Sequence, residues 1–323
     1  MIILLLMDIS LNKIIQNAIN AYDEGKLNEA EIYFKKALII KPDSEEVYFN
    51  LATTQRDLNN LKEAKINYKN AIRFKPNFIK AHNSLGVVLR LLEELDDAVL
   101  SFKKAIELKQ DYAEAYNNLG STLVALLMFK DAEVCFTKAI ELKKDYADAY
   151  LNLGQTQKNL GRLEESEINT KKAILLNPKN IVGYNSLSLL LKELGRTVEA
   201  KKNCFKALTL NNDDGEAHYI LGTIYYAAKH YKKAIEHFTL SNYSESKFFL
   251  LKCYFENDEQ SNLYNELEYL IKNGENNAII GSIISQSKIK YGITKLNPFC
   301  NDPLKYVLKS DLIKKIILIK FFI

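Results

Sequence analysis

AEAYNNLGSTLVALLMFKDAEVCFTKAIELKKDY, residues 113–146, is one full period of a pattern that recurs seven times between Leu11 and Phe248. Counted from Ala113, residues Tyr116, Leu119, Gly120 and Leu123 fall at positions 4, 7, 8 and 11. Ala132, Phe136 and Ala139 follow at positions 20, 24 and 27. Apolar residues spaced by three and four read as helix, and the period holds two such stretches joined by a short turn. Small residues at fixed offsets inside both stretches mark a solenoid of stacked helix pairs, not a closed globule. The expected fold class is therefore all-α.

In register, the units are 11–44, 45–78, 79–112, 113–146, 147–180, 181–214 and 215–248. Position 8 reads Ala18, Ala52, Gly86, Gly120, Gly154, Ser188 and Gly222; position 20 reads Ala30, Ala64, Ala98, Ala132, Ser166, Ala200 and Ala234. A Gly inside a helix costs about 1 kcal/mol, which close approach of a facing helix accounts for. Position 27 is Ala in the first six units, where one unit meets the next. Position 24 carries a wedge at Phe34, Tyr68, Phe102, Phe136 and Phe238, with Thr170 and Cys204 as weaker exceptions. Pro42, Pro76 and Pro178 end second helices, and Gly161 and Gly195 sit just past first ones.

On these residues the chain resembles the tetratricopeptide-repeat family over roughly three quarters of its length. The resemblance implies a right-handed α-α superhelix whose first helices line a groove for protein or peptide segments. Residues 1–10 read as an apolar N-terminal strip and 249–277 as a degenerate capping helix pair. Residues 278–323 read as a truncated linker with an irregular apolar tail.

In this family, positions 2, 5, 6, 9 and 12 face the groove. Positions 5 and 6 of units two to seven hold Asn50, Asn83, Asn117, Asn118, Asn152 and Asn185, six of the twelve places. An Asn amide offers two donors and an acceptor, which suits the backbone of an extended peptide. Position 12 adds Arg56, Arg90, Lys158 and Lys192 for acidic side chains or a terminal carboxylate. The same Asn residues also fit plain solvated helix surface. On the peptide reading, Ala at 118 and 152 weakens partner binding without lowering the melting temperature.

Composition removes other classes. The net charge of +4 is spread among 40 acidic residues, which argues against a nucleic-acid stripe. The apolar N-terminus is too short for a membrane span and lacks the flanks of a signal peptide. Four cysteines, Cys135, Cys204, Cys253 and Cys300, lie far apart without metal spacing, as expected of free thiols in a reducing cytoplasm. Of the four histidines, His82 and His218 take the position-4 place of Tyr48, Tyr116, Tyr150 and Tyr184, a packing role. His230 and His237 come with no carboxylate motif, and no catalytic or nucleotide-binding fingerprint occurs. The expectation is a scaffold without enzymatic activity, cofactor or metal; the sequence leaves its oligomeric state open.

The tail carries a second resemblance. Asn297-Pro298-Phe299-Cys300, with Pro303-Leu304, is similar to the connector in bacterial tetratricopeptide-repeat proteins that end in an iron(II)/2-oxoglutarate oxygenase domain. That chemistry needs two His and a carboxylate, and no His follows His237. The apolar, lysine-spiked ending Leu312–Ile323 reads as a frameshift or premature stop, or as a strip for a membrane surface. A truncated, substrate-docking part of such an oxygenase is the alternative reading. The Asn-lined groove is also similar to the docking arm of protein O-linked N-acetylglucosamine transferases, whose catalytic region is absent here.

Overall fold

The computed structural model describes residues 2–274 and 278–292. They form seventeen α-helices, with no strand among the described residues. The chain divides into two compact units between Pro178 and Lys179.

The first unit contains five helix pairs. They are α1 (Ile2–Asp23) with α2 (Leu27–Ile40), α3 (Glu45–Asp57) with α4 (Leu61–Phe74), and α5 (Ile79–Leu91) with α6 (Leu95–Leu108). α7 (Ala113–Ala125) with α8 (Phe129–Leu142), and α9 (Ala147–Asn159) with α10 (Leu163–Leu176), complete it. A buried seam runs through the pairs from Ala52 and Tyr68 to Phe136, Ala149 and Leu153. Its construction follows the sequence pattern closely. The Phe102 ring lies over Gly86 and the Phe136 ring over Gly120, so that a Cβ on either glycine would stand 2.7 Å from the ring. Where the wedge shrinks to Thr170, a Cβ on Gly154 meets its hydroxyl instead, at 2.6 Å. Position 8 is small because the position-24 side chain fills that space.

Turns inside the pairs put position 15 in the left-handed region. Gly25 and Gly161 serve there, but so do Asn59, Glu93 and Leu127, with φ of 62°, 62° and 60°. Short helix-to-helix connections enforce that conformation whatever residue is present.

The second unit holds α11 (Ile181–Glu193), α12 (Thr197–Leu210), α13 (Gly215–Ala227), α14 (Tyr231–Leu240), α15 (Ser244–Glu256), α16 (Gln260–Lys272) and α17 (Ala278–Tyr291). Helix α14 is short, at 10 residues. Position 27 here is Ser241, the C-cap residue, whose Oγ donates to the Gly215 carbonyl at 3.0 Å. Helix α15 starts at Ser244 and runs across residues 248 and 249, where the repeat register places a unit boundary. Leu251, Leu263, Leu267, Leu270, Ile280 and Ile283 form one buried cluster, so α17 packs with α15 and α16.

Two terminal expectations meet structure. Residues 2–10 continue helix α1. Residues 278–291, read as the start of a linker, are helix α17. The Asn297–Leu304 segment, Cys300 and the apolar ending lie outside the described residues. No described helix is long and apolar enough to cross a membrane.

Candidate functional site

Positions 5 and 6 of the first helices do different things. Adjacent residues on a helix point about 100° apart, so both cannot face the same way. In the first unit, Asn83 and Asn117 at position 5 are buried, 4% and 8% exposed. Asn118 and Asn152 at position 6 are half-buried. The pairs interlock across repeats. Asn118 Nδ2 donates to Asn83 Oδ1 at 3.1 Å, and Asn152 Nδ2 donates to Asn117 Oδ1 at 3.0 Å. Asn83 Nδ2 in turn donates to Glu114 Oε1 at 3.2 Å. Burial, followed by the nearby Glu114 charge, pushes the Tyr112 phenol up to about 12.

Asn83 and Asn117 are thus buried ties of the stack, their amide oxygens accepting from Asn118 and Asn152, whereas the sequence reading set all four in the groove. Asn118 and Asn152 each keep a carbonyl oxygen outside the ladder. Their truncation also orphans a buried acceptor, which costs about 1–3 kcal/mol. On this geometry Ala at 118 and 152 is expected to lower the melting temperature, where the sequence reading expected no change.

Asn50 also sits at position 6 but has no such partner. The residue 35 places before it is Ile15, which has no side-chain acceptor. Asn50 instead lines a cavity of about 260 Å³ with Ile19, Tyr22, Asp23, Phe34 and Thr53. The Thr53 hydroxyl is already engaged, with the Phe49 carbonyl and with the Tyr68 hydroxyl at 3.0 Å.

The basic row is mixed. Arg56 pairs with Asp57, Nη2 to Oδ1 at 2.8 Å, and Tyr22 donates its hydroxyl to the other Asp57 oxygen at 2.5 Å. Burial, then the Asp57 hydrogen bond, pushes the Tyr22 phenol up to about 12. Arg90 is half-buried and its Nε has no hydrogen-bond partner among the described residues. Lys158 is half-buried on α9.

The second unit holds Asn185 and Lys192. Asn185 is 1% exposed and donates to Asp214 Oδ1 at 2.8 Å and Glu216 Oε2 at 3.2 Å. Its own oxygen is buried without a partner, because Ile220 stands where the ladder would place an Asn. Burial outweighs that hydrogen bond and raises the Glu216 carboxyl above its ordinary value. Asn185 too is thus a structural amide. Lys192 donates to Thr223 Oγ1 at 2.9 Å.

Sequence reasoning missed two features. One is the cavity beside Asn50. The other is a histidine pair: His218 Nδ1 and His237 Nδ1 lie 3.0 Å apart, while His218 Nε2 meets the Asn212 carbonyl at 3.1 Å. The two histidines occupy positions 4 and 23 of the seventh unit, an offset of 19 residues that matches no local helix spacing. Burial, then the His218 charge, holds His237 below its ordinary value. No group of three or more metal-ligating side chains exists among the described residues. The described thiols are free, with burial pushing Cys135 and Cys204 up to about 11 and Cys253 to about 12.

Comparison with known proteins agrees with this architecture. Tetratricopeptide-repeat family models match residues 45–78, 113–146 and 135–168, and a TPR-repeat model matches 88–126. A tetratricopeptide repeat protein from Parabacteroides merdae is 23% identical, covering 75% of this chain and 97% of its own, with a TM-score of 0.63. PilF of Pseudomonas aeruginosa is 17% identical, covering 65% and 96%, with a TM-score of 0.57. MamA is 29% identical over 50% of this chain and 95% of its own, with a TM-score of 0.46. No curated protein matches the chain.

Proposed function

From a chain that carries tetratricopeptide repeats, we propose a non-catalytic scaffold that binds an extended peptide segment along the first helices of its first unit. The observation that supports this reading is the ladder. Asn118 and Asn152 are fixed in one repeating register by buried amides, at 3.1 and 3.0 Å, with an oxygen of each left over. Preorganised, evenly repeated amide groups suit a peptide backbone, whose donors and acceptors also repeat. Arg90 and Lys158 add positive charge at position 12 and favour segments with acidic side chains. The partner on this reading is protein, not nucleic acid, and the chain acts without cofactor or metal.

The test uses the full chain on an array of synthetic peptides of mixed sequence, followed by N-methylation of the best binder residue by residue. Backbone reading predicts loss of binding on N-methylation at alternating positions, with alanine substitutions mostly tolerated. Binding that survives N-methylation but collapses on alanine substitution contradicts it. So does an array on which nothing binds.

A further inference from the structure

We propose that the cavity beside Asn50 is a specificity pocket for one lysine side chain of the bound segment; this rests on the peptide-binding reading above. Its volume of about 260 Å³ falls just short of the roughly 300–1,000 Å³ typical of small-molecule pockets. That size suits a single long side chain. Ile19, the Tyr22 ring and the buried Phe34 supply apolar wall and floor for an aliphatic stem. The polar lining is selective in sign. Asn50 keeps its whole amide because Ile15 offers it no ladder partner, and Asp23 contributes an exposed carboxylate.

Asp23 has no evident structural role. It closes the last turn of α1, where a negative charge opposes the helix dipole. Its counterpart one repeat later, Asp57, is held by Arg56 and by the Tyr22 hydroxyl. The Asp23 carboxylate has neither an ion pair nor a hydrogen bond among the described residues. The nearby Lys26 pairs instead with Glu24, at 2.7 Å. An apolar shaft capped by a free carboxylate and an amide oxygen matches a butyl stem ending in an ammonium. Snorkelling side chains of that kind bury the stem and keep the charge at the mouth. An acidic side chain would meet Asp23 with the same sign, and a purely apolar one would leave the carboxylate and amide unanswered.

The experiment compares the full chain with its Asp23→Asn variant on the same peptide array, each peptide present with Lys, norleucine and Glu at every position. The proposal predicts one register position at which Lys outbinds norleucine and Glu. Asp23→Asn should weaken the Lys peptide by roughly tenfold, the size of one charge-assisted hydrogen bond, while the norleucine peptide, freed of the unanswered carboxylate, binds no worse than to wild type. The variant's melting temperature should not fall, since the substitution removes an unfavourable helix-end charge. Peptides that bind wild type with no lysine preference overturn the pocket and leave the backbone reading standing. A lysine preference that persists in Asp23→Asn also overturns it. An array with no binder at all overturns both.

Discussion

Asn118 and Asn50 occupy the same place in their repeats and end in different chemistry. Asn118 is tied to the buried Asn83 at 3.1 Å and belongs to the stack as much as to the surface. Asn50, preceded by Ile15, is released into a cavity. The second unit supplies the mirror case: Asn185 is buried with an orphan oxygen, because Ile220 replaces the amide that would reach it. An Asn in a repeat is therefore structural or available according to the residue 35 places away, which a column of identical residues does not reveal.

The seam sets the scale for testing that contrast. Gly120→Val drives a branched side chain into the Phe136 ring, 2.7 Å from where its Cβ must stand. We expect a loss of about 3 kcal/mol or more, read by urea denaturation of the full chain. A change smaller than that of any ladder substitution would mean the seam can yield. Within the ladder, Asn117→Ala removes the acceptor of Asn152 and should destabilise by about 1–3 kcal/mol. If it proves neutral, the ladder is surface decoration and its difference from Asn50 disappears.

A pH series probes the second unit, where the ladder is incomplete and a histidine pair faces inward. His237 is held below its ordinary value of 6.5 by burial and by His218. A base depressed on folding contributes stability that is present above 6.5 and lost as pH falls through the folded value. The difference in stability between wild type and His237→Asn should therefore shrink as pH drops from 7.5 to 5. A difference that stays flat or grows would refute the assignment. The smallest effect belongs to Asn50→Ala, expected within about 0.5 kcal/mol of wild type. A loss as large as that of Asn117→Ala would place Asn50 in a structural network.

Much of the architecture was legible. The wedge-over-glycine contact, the alanines of the seam and the helix starts at Glu45, Ile79, Ala113 and Ala147 all follow from apolar periodicity. Two kinds of feature were not. Left-handed turns at Glu93 and Leu127 are imposed by the connection between helices, against local preference, so residue type gives no warning. The split between positions 5 and 6 is a matter of 100° of rotation, which a face assignment by repeat position blurs. Three of the six candidate Asn residues, Asn83, Asn117 and Asn185, are buried.

On the proposed reading the position-6 amides meet the ligand while the position-5 amides hold the frame. The most direct measurement follows side-chain amide resonances in full-length protein labelled with ¹⁵N only at asparagine, titrated with the best peptide from the array. Saturable shifts are expected for Asn50, Asn118 and Asn152, with Asn83, Asn117 and Asn185 moving little. Binding that leaves the first three unmoved, or that shifts the buried three most, would contradict it.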